Sequence, residues 1–219
     1  MARTNNKKLT TMLLVTTVAV LGLLLAVASS AACGCGRRRV HLQLYMHDVI
    51  GGPNRTAIRL IWGVGLPHES MPNRTFGDTV AIDDLVTDGP GIVGVGDGDG
   101  DTRPIGRAQG TYMLSSQHEE VIVVSITVVL TAGPYNGSTL VVAGRDRIYD
   151  EVRELAVVGG TGHLRGASGY VLWTTAKVWS DVHMVLELDV HATVPLMPDD
   201  DDDDDDDNVL VLGSTSSDV

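Results

Sequence analysis

The chain has 219 residues, 43% of them apolar and 20% charged, which is room for one full domain and too little for two once its unusual ends are set aside. Its formal charge of −12 comes largely from one block, Asp199 to Asp207; residues 33–198 carry 13 basic against 18 acidic groups and are only mildly acidic. No basic face interleaved with aromatic residues stands out, which argues against nucleic acid as a partner.

Residues 1–32 read as a signal peptide, because Arg3, Lys7 and Lys8 precede an apolar run from Met12 to Ala28 that ends in small residues. Cleavage fits after Ala28, Ala31 or Ala32. That run is at the short edge of what crosses a bilayer, so a secreted chain with no membrane contact after cleavage is expected, an uncleaved anchor being the alternative. Residues 33–39 are expected to form a linker. Cys33 and Cys35 lie there, one glycine apart, and cannot staple the domain; they are lost near the signal or form a labile or intermolecular disulfide.

From Val40 to Val194 the apolar residues recur with period two, broken by clusters of Gly, Pro, Asn and Asp. The spacing predicts strands near residues 41–48, 57–65, 75–83, 105–115, 119–131, 138–146, 153–158, 168–178 and 182–190. Eight or nine strands with tight turns point to a closed antiparallel β-barrel over residues 40–195, since closure removes exposed edges. Residues 196–219, with their run of aspartates, are expected to be a disordered acidic tail. Asn54, Asn73 and Asn136 each open an acceptor sequon at an expected turn or strand end, which makes a secreted glycoprotein a consistent reading.

Two strands have unusual faces. Val121 to Leu130 is apolar on both sides, which predicts that a second copy of the chain covers its outer face. In residues 105–115, Gly106, Ala108 and Gly110 share a face with Tyr112 and Leu114; the small side chains either leave a ligand cavity with a phenol at its rim or serve a tightly packed taper. The acidic run from Asp97 to Asp101 matches a calcium loop only in part, because Thr102 and Ala108 stand where the turn glycine and last acidic ligand are needed.

The run from Val157 to Gly166 looks like a strand entering a nucleotide-binding glycine turn, but Gly169 to Thr175 continues as a strand and no helix follows to meet a phosphate. The seven histidines are scattered, with no spaced pair on one helix face and no cysteine ligand nearby, so neither a metal site nor a cofactor is expected. Two aspartates stand out. Asp48 follows Leu42, Leu44 and Met46 at alternate positions, and Asp146 follows Leu140 and Val142. A carboxyl on an inward apolar face has a raised pKa and suits general acid chemistry, whereas one at a strand end bonds turn amides.

The motifs His47-Asp48-Val49, Phe76-Gly77-Asp78, Val80 with Asp83, Gly106 to Tyr112, Tyr135 to Ser138, Gly144-Arg145-Asp146, Arg153-Glu154-Leu155 and Val157 to Gly162, in that order and spacing, resemble those of plant dirigent proteins. The resemblance spans about Val40 to Val194. It implies an eight-stranded barrel, a homotrimer, and a cavity for phenolic (monolignol-type) radicals made by an external laccase or peroxidase, whose coupling the protein steers in lignan and phenylpropanoid biosynthesis. It assigns Asp48 and Asp146 as catalytic acids on a quinone methide, with Tyr112, Arg153 and Thr175 as substrate-binding groups. Arg153 has the alternative of an ion pair with Glu151 or Glu154. Leu114 stands where pinoresinol-forming members carry a second tyrosine, and the family's usual disulfide is missing. Two other readings remain: a defence-related wall or carbohydrate-binding barrel, which works with a filled interior, and a small-molecule cyclase of the allene oxide cyclase type.

Overall fold

The period-two pattern resolves into nine strands in a computed structural model that describes residues 36–94 and 102–196: β1 Arg37–Val49, β2 Ala57–Ile61, β3 Thr79–Thr87, β4 Pro104–Leu114, β5 Val121–Leu130, β6 Thr139–Arg147, β7 Arg153–Thr161, β8 Ser168–Ser180 and β9 His183–Pro195. The expected signal peptide, Cys33 and Cys35, most of the calcium-like run and the polyaspartate tail lie outside the described residues.

All pairings are antiparallel, in the order β1-β9-β8-β7-β6-β5-β4-β3-β2, and β1 also pairs with β3 through Tyr45–Thr87, Met46–Val86 and His47–Leu85. That last pairing closes an eight-stranded barrel. The short β2 pairs with the first half of β3, from Ala57–Ile82 to Ile61–Thr79. β1 starts at Arg37, paired with Pro195, so three residues of the expected linker belong to the barrel.

Inward side chains alternate along every strand: Val40, Leu42, Leu44 and Met46 on β1, Ile126, Val128 and Leu130 on β5, Leu188 and Val190 on β9. Each large apolar side chain taken out of water contributes about 1.5–3 kcal/mol, and this filled end is the barrel's main support. On β5 the outer face is less apolar than the sequence suggests, because exposed Ser125 and half-buried Thr127 separate exposed Val123 from Val129.

Strand bounds shift locally, and β2 ends at Ile61, four residues before its predicted end. β3 begins four residues later than predicted because Asp78 organises a turn before it: its carboxylate accepts from the backbone N–H of Thr75 (2.9 Å) and Gly63 (2.8 Å) and lies 3.5 Å from the Arg59 guanidinium. As the sequence implies, the glycine run is no phosphate loop, and its strand, β7, continues to Thr161, past the predicted end at residue 158. Gly159 pairs with Val141 and Val157 with Val142, so Val158 is the extra residue of a bulge, and only a 3-10 turn from Gly162 to Leu164 follows.

Candidate functional site

The barrel is filled at one end and hollow at the other. At the hollow end, where β1, β4, β6 and β8 finish and β5, β7 and β9 begin, lies a cavity of about 480 Å³. Its walls include Met46, Ile82, Ile122, Val124, Met184 and Leu186, and its mouth is framed by Ser70 to Arg74 and Tyr149. The mouth segment is pinned: Arg74 N–H donates to Met71 O and His68 N–H to Arg74 O, both at 2.8 Å, and the Arg59 guanidinium donates to Asn73 O at 2.7 Å.

Asp48, Asp146, Tyr112, Leu114, Arg153 and Thr175 all line this one cavity. Neither aspartate caps a turn. Asp48 and Asp146 are buried with side chains directed inward, and one oxygen of each, Oδ1, has no hydrogen-bond partner. Burial pushes the Asp48 carboxyl up to about 6 against the opposing pull of Arg74. Burial also raises Asp146, although the Arg153 guanidinium is only 3.8 Å away. The reason is where Arg153 spends its N–H groups: on the carbonyls of Trp173 (3.3 Å) and Ile148 (3.2 Å) and on the Thr175 hydroxyl (3.3 Å). Arg153 is buried in the barrel and makes no ion pair with Glu151 or Glu154. Tyr112 accepts from Arg74 at 3.5 Å, and its phenol pKa is raised by burial.

The sequence reading missed a third acid. Asp84 is fully buried on the inner face of β3, beside Val80, Ile82 and Val86, while Asp83 faces outward in a 2.6 Å ion pair with Arg107. The Thr56 hydroxyl donates to Asp84 Oδ1, and Oδ2 has no partner. Burial first, and the nearby Asp48 charge second, push the Asp84 carboxyl up to about 8. Alternation with Val80, Ile82 and Val86 is the same signal that marked Asp48 and Asp146; the motif with Asp83 drew attention one residue short. Trp173 was missed too. Its indole Nε1 is buried at the cavity wall with no acceptor among the described residues.

The glycines of β4 do not make the cavity. Gly106, Ala108 and Gly110 are not among its lining, and a Cβ on Gly106 or Gly110 would sit 2.2 Å from Val129 O or Ser125 O of β5. The two glycines let the β4 and β5 backbones approach, and the hollow begins beyond them at Tyr112 and Leu114. Asn54, Asn73 and Asn136 are exposed in turns, Asn73 at the cavity mouth.

A barrel hollow at one end, with carboxyls on apolar inner faces, also fits the comparisons with known proteins. The sequence profile of the dirigent-like protein family matches residues 39–193. The chain belongs to the dirigent family. It is 39% identical over 142 residues to dirigent protein 1 of Arabidopsis thaliana, covering 63% of this chain and 70% of that one. It is 40% identical over 131 residues to pterocarpan synthase 1 of Glycine max, where the match covers 59% of this chain and 64% of the relative. Two solved structures of pterocarpan synthase dirigent proteins superpose with TM-scores of 0.61, at 33% and 31% identity, covering 72% and 73% of this chain and 86% and 97% of theirs.

Besides the cavity, a second cluster contradicts the reading of scattered histidines. His41, Asp189 and His191 come together on the outer wall, where β1 and β9 pair. His41 stands 148 positions from Asp189 in the sequence, which hid the cluster.

Proposed function

We propose that this dirigent protein binds phenolic radicals, or the quinone methide formed when they couple, in the hollow end of its barrel and directs the stereochemistry of ring closure. A separate laccase or peroxidase supplies the radicals. The observation that carries the reading is the convergence of three buried carboxyls, each with an oxygen that accepts no hydrogen bond from the described residues, on one apolar-walled cavity. A filled barrel would have suited a wall or carbohydrate-binding role; a hollow with buried acids suits chemistry on a small molecule.

Their pKa values divide the labour. Asp84, raised to about 8, holds its proton at neutral pH and donates from Oδ2; Asp48, at about 6, is largely ionised there and accepts. Coupling of two radicals forms one carbon–carbon bond and leaves a quinone methide. A carboxylic acid protonates the methide's carbonyl oxygen, a hydroxyl of the same molecule bonds to the methide carbon, and the neighbouring carboxylate takes that hydroxyl's proton. Atoms and charge are conserved and no external oxidant enters this step. Asp146, with Arg153 and Thr175, supplies a second acidic end for the same molecule's other ring. Trp173 Nε1 offers a hydrogen bond to a substrate oxygen.

A second reading is favoured by Leu114, which leaves one phenol fewer on the wall, and by the relatives named as pterocarpan synthases. Here the same acids promote loss of water from a phenolic benzylic alcohol, and a second hydroxyl closes the ring. Chiral analysis of two incubations separates them. Monolignols plus an oxidase should yield enantiomerically enriched dimers under the first reading. A phenolic alcohol that closes to a pterocarpan should react with the protein alone under the second. Racemic dimers in one and no turnover in the other would overturn both.

The same proposal has the chain secreted, glycosylated at Asn54, Asn73 and Asn136, and assembled as a homotrimer. Peptide mapping of protein recovered from culture medium, before and after enzymatic deglycosylation, tests the first two.

A further inference from the structure

Residues His41 and His191 face each other directly across the β1–β9 pair, on the outer wall of the barrel. Cross-strand neighbours of this kind have Cβ atoms about 5 Å apart, close enough for their side chains to act together. The imidazoles stack with centroids 4.5 Å apart and planes 20° from parallel. Asp189, two residues before His191 and so on the same face, reaches both: its Oδ1 is 2.5 Å from His41 Nε2 and its Oδ2 3.0 Å from His191 Nε2. The phenol ring of Tyr170 on β8 stacks at 5.0 Å on His191, so that ring is held between two others.

We propose that His41, Asp189 and His191 form a binding site for a divalent transition-metal ion on the outer barrel wall, remote from the cavity. Two imidazole nitrogens and one carboxylate oxygen are a donor set suited to zinc and its neighbours in the first row, and an open fourth position is left for water. The candidate ligand atoms all lie within 4.8 Å of one another. Metal–nitrogen and metal–oxygen bonds of about 2.0–2.2 Å place tetrahedral ligands about 3.3 Å apart, so small ring and carboxyl rotations admit the ion. The two imidazoles already direct Nε2 at the carboxylate, where a metal would replace the protons they now share with it. All three side chains are about one-third exposed, so the ion has an entry path without any barrel opening. Two neighbouring polar groups are otherwise engaged: Gln43 donates to Glu187 at 2.6 Å, and the Arg37 guanidinium to Ser168 (2.6 Å) and Thr193 (3.2 Å).

Such an ion would tie the first strand of the barrel to the last. It binds the folded state, where the two histidines meet, and so stabilises that state by mass action.

The test uses the full chain and Zn²⁺ alone, in a non-chelating buffer near neutral pH. Calorimetric titration of the parent should show one saturable site, and Zn²⁺ should raise its melting temperature. In His41→Gln, His191→Gln and Asp189→Asn the site should weaken by at least about tenfold, since even loss of an outer partner typically lowers metal affinity 10- to 100-fold. Weak binding by Asp199 to Asp207 is common to parent and variants and cancels in the comparison. Co²⁺ should give visible absorption bands of nitrogen and oxygen coordination in the parent and lose them in the histidine variants. Circular dichroism establishes that each variant is folded. Equal Zn²⁺ isotherms in the parent and three folded variants, or no saturable binding by the parent beyond that of the variants, would overturn the proposal.

Discussion

Thr56 and Asp84 share a hydrogen bond in which the threonine hydroxyl donates to Oδ1, while Oδ2 of this cavity-lining acid accepts no hydrogen bond from the described residues. The same hydroxyl accepts from the Val49 N–H at 3.1 Å, so the turn that ends β1 orients an acid on β3. Asp48, the neighbour whose charge raises Asp84, lies one residue before that turn. Closure of the barrel through β1 and β3 therefore also assembles the acid–base pair.

A raised pKa in the folded state makes Asp84 a source of pH-dependent stability. Folded Asp84 keeps its proton up to about 8, whereas the unfolded chain releases it near 3.8, so stability is greatest below the lower value and falls as pH rises through the window. His47, lowered to about 4 by burial, acts oppositely, but only between about 4 and 6.5. Between pH 6.5 and 8 the parent should lose stability with a slope of up to about 1.4 kcal/mol per pH unit. Asp84→Asn should flatten that slope in urea titrations at pH 6.5, 7.2 and 8. An unchanged slope would show that the acid is not held neutral.

The carboxyls should matter to chemistry more than to folding. Asp48→Asn, Asp84→Asn and Asp146→Asn are nearly isosteric, and each should lower the directed rate by about 10²- to 10⁴-fold, the usual worth of general acid–base catalysis. The product ratio should then approach the racemic mixture of free coupling. Folded variants that direct coupling as well as the parent would remove the acids from the mechanism.

Trp173→Phe separates packing from recognition. The indole N–H has no acceptor among the described residues, so its removal breaks no hydrogen bond there and should leave the melting temperature within a few degrees of the parent's, about the shift that 1 kcal/mol produces. Substrate affinity should fall several-fold, by about the 0.5–1.5 kcal/mol of one hydrogen bond. Unaltered affinity in the phenylalanine variant would place the substrate elsewhere in the cavity.

Assembly has two candidate surfaces. The outer face of β5 offers Val123 and Val129, and the segment after β2 exposes Trp62, Val64 and Leu66 more strongly. Sedimentation at micromolar concentration should show a trimer, and Val123→Lys should dissociate it if β5 is the seam. A trimer that survives Val123→Lys but not Leu66→Asp would move the interface to the β2 side. A monomeric parent would end the trimer reading altogether.

By itself the sequence determined the strands, because inward and outward residues alternate wherever one face meets a core, and that periodicity is local. Asp48 and Asp146 were legible for the same reason: an acid in an apolar alternation faces inward. Asp84 obeyed that rule as well and was hidden only by Asp83 beside it, one of two adjacent acids that point to opposite faces. What only the tertiary structure decided is which distant positions meet. The filled and hollow ends depend on how β4 lies against β5, where glycines bring backbones together rather than opening a pocket. Arg153 turned inward because the Trp173 and Ile148 carbonyls, far from it or out of register in the sequence, take its N–H groups. His41 and His191 became neighbours because the barrel's first and last strands pair in one register, a long-range contact that no local pattern of residues encodes.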